Sequence, residues 1–184
     1  MERASNIFEL IKAELDERVF DLISESRDTV NSWGEGDPYF LDKTPLMFAL
    51  QCGNENVAKR LVLAGADVNA KMPCSKKMSV LNFAVNAFRT VEIVELLLSK
   101  GADPNHYDAD GWSPLKTAVR IASSNVPQRR DLGVNFVALL LESGASWNLI
   151  CEPENEDRIA SSARDYAEKI RDDLPGELIA MMGS

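Results

Sequence analysis

Leu97-Leu98-Ser99-Lys100-Gly101-Ala102-Asp103-Pro104-Asn105 decides how this chain is read, because the phrase recurs. Leu61-Val62-Leu63-Ala64-Gly65-Ala66-Asp67-Val68-Asn69 precedes it, and Leu140-Leu141-Glu142-Ser143-Gly144-Ala145-Ser146-Trp147-Asn148 follows it. In each, an apolar periodic stretch runs into glycine, the residue that takes positive φ without a Cβ penalty, so each is predicted to end a helix in a sharp turn. Upstream lies a second shared phrase: Thr44-Pro45-Leu46-Met47-Phe48-Ala49, Ser79-Val80-Leu81-Asn82-Phe83-Ala84 and Ser113-Pro114-Leu115-Lys116-Thr117-Ala118. Thr or Ser is placed there to cap a helix N-terminus, with proline at the first helical position in two of the three.

The helix starts at 44, 79 and 113 are 35 and 34 residues apart. That period, with the start phrase and the glycine ending in fixed order, resembles the ankyrin repeat. The resemblance implies an all-α solenoid of stacked helix-turn-helix units joined by hairpin fingers, and it covers roughly residues 6–182. Three full repeats are expected at 37–70, 71–106 and 107–149, the last with an insertion near 122–132. An N-terminal capping repeat is expected at 6–36, from Ile7–Ala13, Arg18–Ile23 and a degraded Asp28-Thr29-Val30-Asn31 ending. A C-terminal capping repeat is expected at 150–182, from Ser162-Ala163-Arg164-Asp165-Tyr166-Ala167 and a short last helix opened by Pro175. Ile93, Val94, Leu97 and Leu98, with Val57, Ala58, Leu61 and Val62, are assigned to the apolar layer between units.

The chain has 184 residues, 45% of them hydrophobic and 27% charged, which sets aside disordered and low-complexity classes. No apolar run approaches the ~20 residues that cross a bilayer, and the N-terminus leads into a charged amphipathic stretch, so the chain is expected to be soluble, not secreted, and without a membrane partner. Cys52, Cys74 and Cys151 are odd in number and widely spaced, which suits a reducing, cytoplasmic setting better than a disulfide framework or a metal site. The net charge of −9 divides as −5 over residues 1–36, +1 over 37–149 and −5 over 150–184. Acidic ends suit capping units with a solvated outer face, argue against nucleic acid, and leave room for a basic partner.

Function is expected where the pattern is broken. From the closing Asn to the next Thr or Ser, the regular finger runs eight steps, Asn105 to Ser113; the other three run thirteen, ten and fourteen. Insertions in repeat arrays map to loops on one face, often the binding face. The third repeat also carries ten extra residues around Ala122–Leu132, read as a loop between its two helices on the side away from the fingers. The first finger holds Trp33, Tyr39 and Phe40, aromatics that either anchor a partner or fold back over the edge of the N-terminal cap. Lys43, Met78 and Trp112 hold the variable position before the Thr or Ser, and Gln51, Asn86 and Arg120 the exposed place near the first helix's end; the resemblance implies partner contacts at both, with Trp112 also a packing candidate.

Catalytic chemistry is thinly represented. His106 is the one histidine and the one imidazole base, read as a solvent-facing loop residue. Asp108-Ala109-Asp110-Gly111 resembles the start of a calcium loop, but Thr117 stands where the bidentate glutamate belongs, so it reads as a tight hairpin. Cys52 has no adjacent base. Glu152-Pro153-Glu154-Asn155-Glu156-Asp157 reads as a solvated loop or a contact for a basic partner. The chain is therefore expected to be a monomeric, non-enzymatic protein-binding module without a cofactor, and an inhibitor, immunity-type protein, adaptor and regulatory subunit all fit. The alternative is an enzyme with an unrecognised carboxylate or cysteine site.

Overall fold

The computed structural model describes residues 6–73, 76–87, 90–154 and 159–183. Cys74 and the part of the acidic run at 155–157 lie outside them. The helices are α1 (Ile7–Lys12), α2 (Asp16–Glu25), α3 (Pro45–Cys52), α4 (Glu55–Leu63), α5 (Val80–Asn86), α6 (Val91–Ser99), α7 (Pro114–Ala122), α8 (Pro127–Glu142), α9 (Ala163–Lys169) and α10 (Gly176–Met182). A 3-10 turn, Arg27–Asn31, follows α2, and another, Arg171–Asp173, follows α9.

The four helix starts read from sequence are all capped starts. The hydroxyl oxygens of Thr44, Ser79, Ser113 and Ser162 accept from the backbone N–H of Met47, Asn82, Lys116 and Asp165 at 3.1–3.3 Å. At Ser79 and Ser162 the residue three places on, Asn82 or Asp165, accepts from the cap's own N–H in return, so two orphan donors are satisfied together. Helix ends follow the same logic: Gly101 has φ +86°, and Gly65 and Gly144 are equally left-handed.

Helices α1, α3, α5, α7 and α9 pack side by side in one row, and α2, α4, α6, α8 and α10 in a second. The apolar layer lies between and along these rows. Val57, Ala58, Leu61, Ile93, Val94, Leu97, Phe136, Val137 and Leu140 are all fully buried, and Leu98 is half-buried against them. No helix among the described residues is long and apolar enough to cross a membrane.

An asparagine at each finger's base staples one unit to the next. Asn69 donates to Gly101 O at 2.8 Å and accepts from Asp103 N at 2.8 Å. Asn105 does the same with Gly144 O and Ser146 N, and Asn31 with Gly65 O and Asp67 N. The degraded N-terminal ending thus keeps the one side chain that bonds to the next unit. Asn148 turns to the C-terminal cap and accepts from Arg164 Nε at 2.9 Å.

The expected Ala122–Leu132 loop is corrected by the structure. Only residues 123–126 are loop, and the remaining insertion extends α8 to 16 residues against nine in α4 and nine in α6. Pro127 supplies a preset φ at the helix start. Gly133 allows the extension to lie directly on α7, since a Cβ there would collide with the Ala122 backbone nitrogen. Val134 and Phe136 then continue the buried face. The added length is about two turns of helix, so it keeps the repeat's register and needs no loop.

Candidate functional site

Capping fixes where each inner helix begins, and so what stands just before and just after it. Lys43, Met78 and Trp112 precede the caps of α3, α5 and α7, while Gln51, Asn86 and Arg120 sit in the last turns of those helices. These six residues come from three repeats and line two adjoining clefts. One, of about 540 Å³, takes in Lys43, Gln51, Met78 and Asn86; the other, of about 270 Å³, takes in Met78, Asn86, Trp112 and Arg120. The clefts share Met78 and Asn86 and form one groove beside the fingers.

Trp112 anchors the far end of the groove. Its half-buried indole meets Tyr166 edge-on at 5.2 Å between ring centroids, and the Lys116 ammonium and Arg120 guanidinium lie 5.2 and 5.7 Å from its centre. Asn82 Nδ2 donates to Trp112 O at 3.2 Å, and Asp108 Oδ1 accepts from the N–H groups of Asp110 and Trp112. The aspartates at 108 and 110 therefore form the tight hairpin expected of them. Lys116 is buried at the fourth place of the start phrase, its ammonium donating to Gly111 O and Ser161 Oγ. Arg120 Nη2 donates to Asn86 Oδ1 at 3.2 Å, joining two of the proposed contact residues. Burial pushes the Tyr166 phenol up, with Arg120 opposing.

The first finger departs from expectation at one aromatic. Trp33 and Tyr39 are 42% and 64% exposed, but Phe40 is 2% exposed. Its ring stacks on Phe8 at 4.8 Å and meets Phe48 edge-on at 5.7 Å. Phe40 is therefore a core residue and offers no face to a partner, because the finger folds back onto α1 and α3. Tyr39 stays outside, its ring 5.0 Å from the Lys12 ammonium. Neither Trp33 nor Tyr39 lines the two clefts. Asp37 accepts from Tyr39 N at 2.8 Å and pairs with Lys12 at 3.3 Å, and those two contacts hold its carboxyl below the ordinary range.

Fingers two to four are joined to one another. Ala109 N donates to Lys76 O, and Glu154 N donates to Ala109 O, so three fingers share a run of backbone bonds at 2.8–3.0 Å. Lys77 and Glu154 add an ion pair across the same span. His106 Nε2 lies 2.7 Å from Lys77 O, which ties this loop residue to the neighbouring finger. Cys52 is exposed at the end of α3. Cys151 is buried in the fourth finger, where burial pushes its thiol up despite nearby Lys116.

Residues 42–72 and 77–109 match the model of the ankyrin repeat. The chain carries ankyrin repeats. The ankyrin matches cover the first two full units; the third is tied in by the same stacking of α7 and α8 and the same Asn105 staple. Zinc finger CCCH domain-containing protein 47 of Arabidopsis thaliana is 30% identical over 149 residues, 79% of this chain and 25% of that protein. Zinc finger CCCH domain-containing protein 29 of the same plant is 35% identical over 120 residues, 64% of this chain and 19% of its own length. The chain thus spans a quarter or less of these relatives. Among the described residues no three His, Cys, Asp or Glu side chains gather as a metal site would require.

The repeat register missed part of the groove. Leu41, Met72, Lys76 and Phe83 also line the larger cleft. Met72 and Lys76 fall within the finger lengthened by two residues, which is the one signal that pointed to them.

Proposed function

We propose that this chain is a non-enzymatic, monomeric protein-binding module, working in the cytoplasm, whose partner lies along the groove between the inner helices and the fingers. Ankyrin repeats are generally protein–protein interaction modules, and the groove is where this one places its variable residues. One observation carries the reading: six residues chosen from three separate repeats, by register alone, converge on a continuous groove ended by a half-buried tryptophan. Tryptophan and arginine are the side chains most enriched among interface hot spots, and here Trp112 and Arg120 are neighbours. The groove suits a partner held in place. Within that role the chain serves as an inhibitor or adaptor, acting by covering a segment of its partner.

The test is direct binding to a partner captured from native lysate and identified by mass spectrometry. Trp112→Ala and Arg120→Ala should each weaken its binding to the purified chain by about 2 kcal/mol, while Lys59→Ala on the outer row leaves it unchanged. Equal binding by all three proteins would overturn the groove reading.

A further inference from the structure

The larger cleft draws its walls from both the first and the second finger. Among the described residues, no backbone hydrogen bond joins the first finger to the second beyond the Asn31 staple at its base. The first finger is held by Phe40 against Phe8 and Phe48. The second is tied to the third and fourth by the bond from Ala109 N to Lys76 O and by the Lys77 pair with Glu154. A slot of about 540 Å³ opens between them. That volume lies inside the ~300–1,000 Å³ of sites that enclose small ligands, so it admits a large side chain with part of its backbone.

The walls of the slot set the chemistry of what enters. Leu41, Met72, Met78 and Phe83 supply apolar surface, and Leu41 is markedly exposed for a leucine. Two methionines adapt to apolar side chains of different shape, since the thioether is polarizable and unbranched. Lys43 and Lys76 stand against the single acid Asp42, so the slot is net positive in a chain of net charge −9. Lys76 is exposed, and its ammonium makes no hydrogen bond or ion pair among the described residues. It lines the smaller cleft as well, so a segment leaving the slot toward Trp112 passes it.

We infer that the slot between the first two fingers receives a large apolar side chain of the partner, from an extended segment whose neighbouring acidic residue pairs with Lys76. This rests on the groove reading above and names the chemistry of its occupant. A basic neighbour at the slot would face Lys43 and Lys76 and be repelled, whereas Asp108 and Asp110 line the smaller cleft beyond and not the slot, so the acidic preference belongs to the residue beside the slot. Carboxylate is the group an ammonium at the rim of an apolar slot recognises.

The experiment uses the full chain, immobilised, to select from a displayed library of random heptapeptides, with the selected peptides then titrated against variants. Enriched sequences should pair Leu, Met, Phe or Ile with an adjacent Asp or Glu. Met78→Glu, which places a charge in the slot, and Lys76→Glu, which reverses the rim, should each weaken them at least about tenfold with melting unchanged. Should Met78→Glu fail to fold, the exposed Lys76→Glu decides. Basic consensus sequences, or no enrichment over the bare matrix, overturn the inference. Peptides that lose binding in Trp112→Ala but ignore both slot variants overturn it while leaving the groove reading in place. Peptides indifferent to all three variants overturn both.

Discussion

The first finger and the three that follow occupy equivalent positions in the repeat, yet they are held by different forces. Finger one is seated by side chains: Phe40 enters an aromatic cluster with Phe8 and Phe48, and Lys12 pairs with Asp37 above it. Fingers two to four are held by backbone bonds through Ala109 and by the Lys77–Glu154 pair at their rim. Finger length therefore does not decide which residues stay exposed to a partner. The long first finger is seated by what it buries, and the described part of the long fourth by what it hydrogen-bonds.

The comparison breaks first at Phe40. Its removal empties a fully enclosed aromatic site, so Phe40→Ala should cost about 3–5 kcal/mol in urea denaturation, as large-to-small aromatic changes in cores do. Tyr39→Ala, one residue away and exposed, should stay within ~0.5 kcal/mol. Equal costs would mean that finger one is not seated on the core. Gly133→Ala comes next and tests the other large insertion, the extended α8. Alanine favours a helix over glycine by about 1 kcal/mol, but its Cβ would meet the α7 backbone, and overpacking costs about 1–3 kcal/mol. The net effect should be destabilising; a gain in melting temperature would show that α8 does not lie so close to α7. Ala109→Pro is smaller. It removes the donor that bonds to Lys76 O and should cost about 1 kcal/mol, loosening fingers two to four while leaving the near-ultraviolet dichroism of the Phe40 cluster unchanged.

Much of this architecture was legible because the repeat writes itself several times. Thr44, Ser79, Ser113 and Ser162 announce helix starts by a local rule, and Gly65, Gly101 and Gly144 announce ends by another, so agreement among copies compensates for weakness in any one. Register then placed Lys43, Gln51, Met78, Asn86, Trp112 and Arg120 on one face without knowledge of the fold's curvature. What the pattern did not carry was the fate of insertions. The ten residues after Ala122 contain Pro127 and Gly133, ordinarily signs of loop, and only tertiary packing shows that one starts a helix and the other lets it touch its neighbour. Phe40 and Tyr39 are adjacent aromatics in a glycine-rich stretch, and sequence has no means to say which points inward. That choice is made by Phe8 and Phe48, about thirty and eight positions away. Leu41 and Lys76 line a slot built by two different fingers, a property of neither finger alone.

The smallest effect separates the two ways in which finger one is held. Asp37 lies below its ordinary value chiefly because Tyr39 N–H donates to it, with Lys12 a lesser cause, whereas Lys12 lies above its ordinary value chiefly through its bond to Asp37. A carboxyl depressed on folding contributes stability that is complete above the ordinary aspartate value and is lost as pH falls through the lower folded one. An ammonium raised on folding contributes stability that is complete below the ordinary lysine value and is lost as pH rises through the higher folded one. Asp37→Asn should therefore be less stable than the parent at neutral pH and converge with it in acid. Lys12→Gln should also be less stable at neutral pH and converge in strong alkali, yet it should keep most of the parent's acid-dependent loss, because the Tyr39 N–H still reaches Asp37. Both groups are exposed and salt weakens their attraction, so the Lys12→Gln difference should shrink at high ionic strength while the cost of Phe40→Ala does not. If Lys12→Gln instead abolished the acid limb, the ion pair and not the backbone donor would set the Asp37 carboxyl, and finger one would be held by charge at its tip as well as by the aromatic cluster beneath.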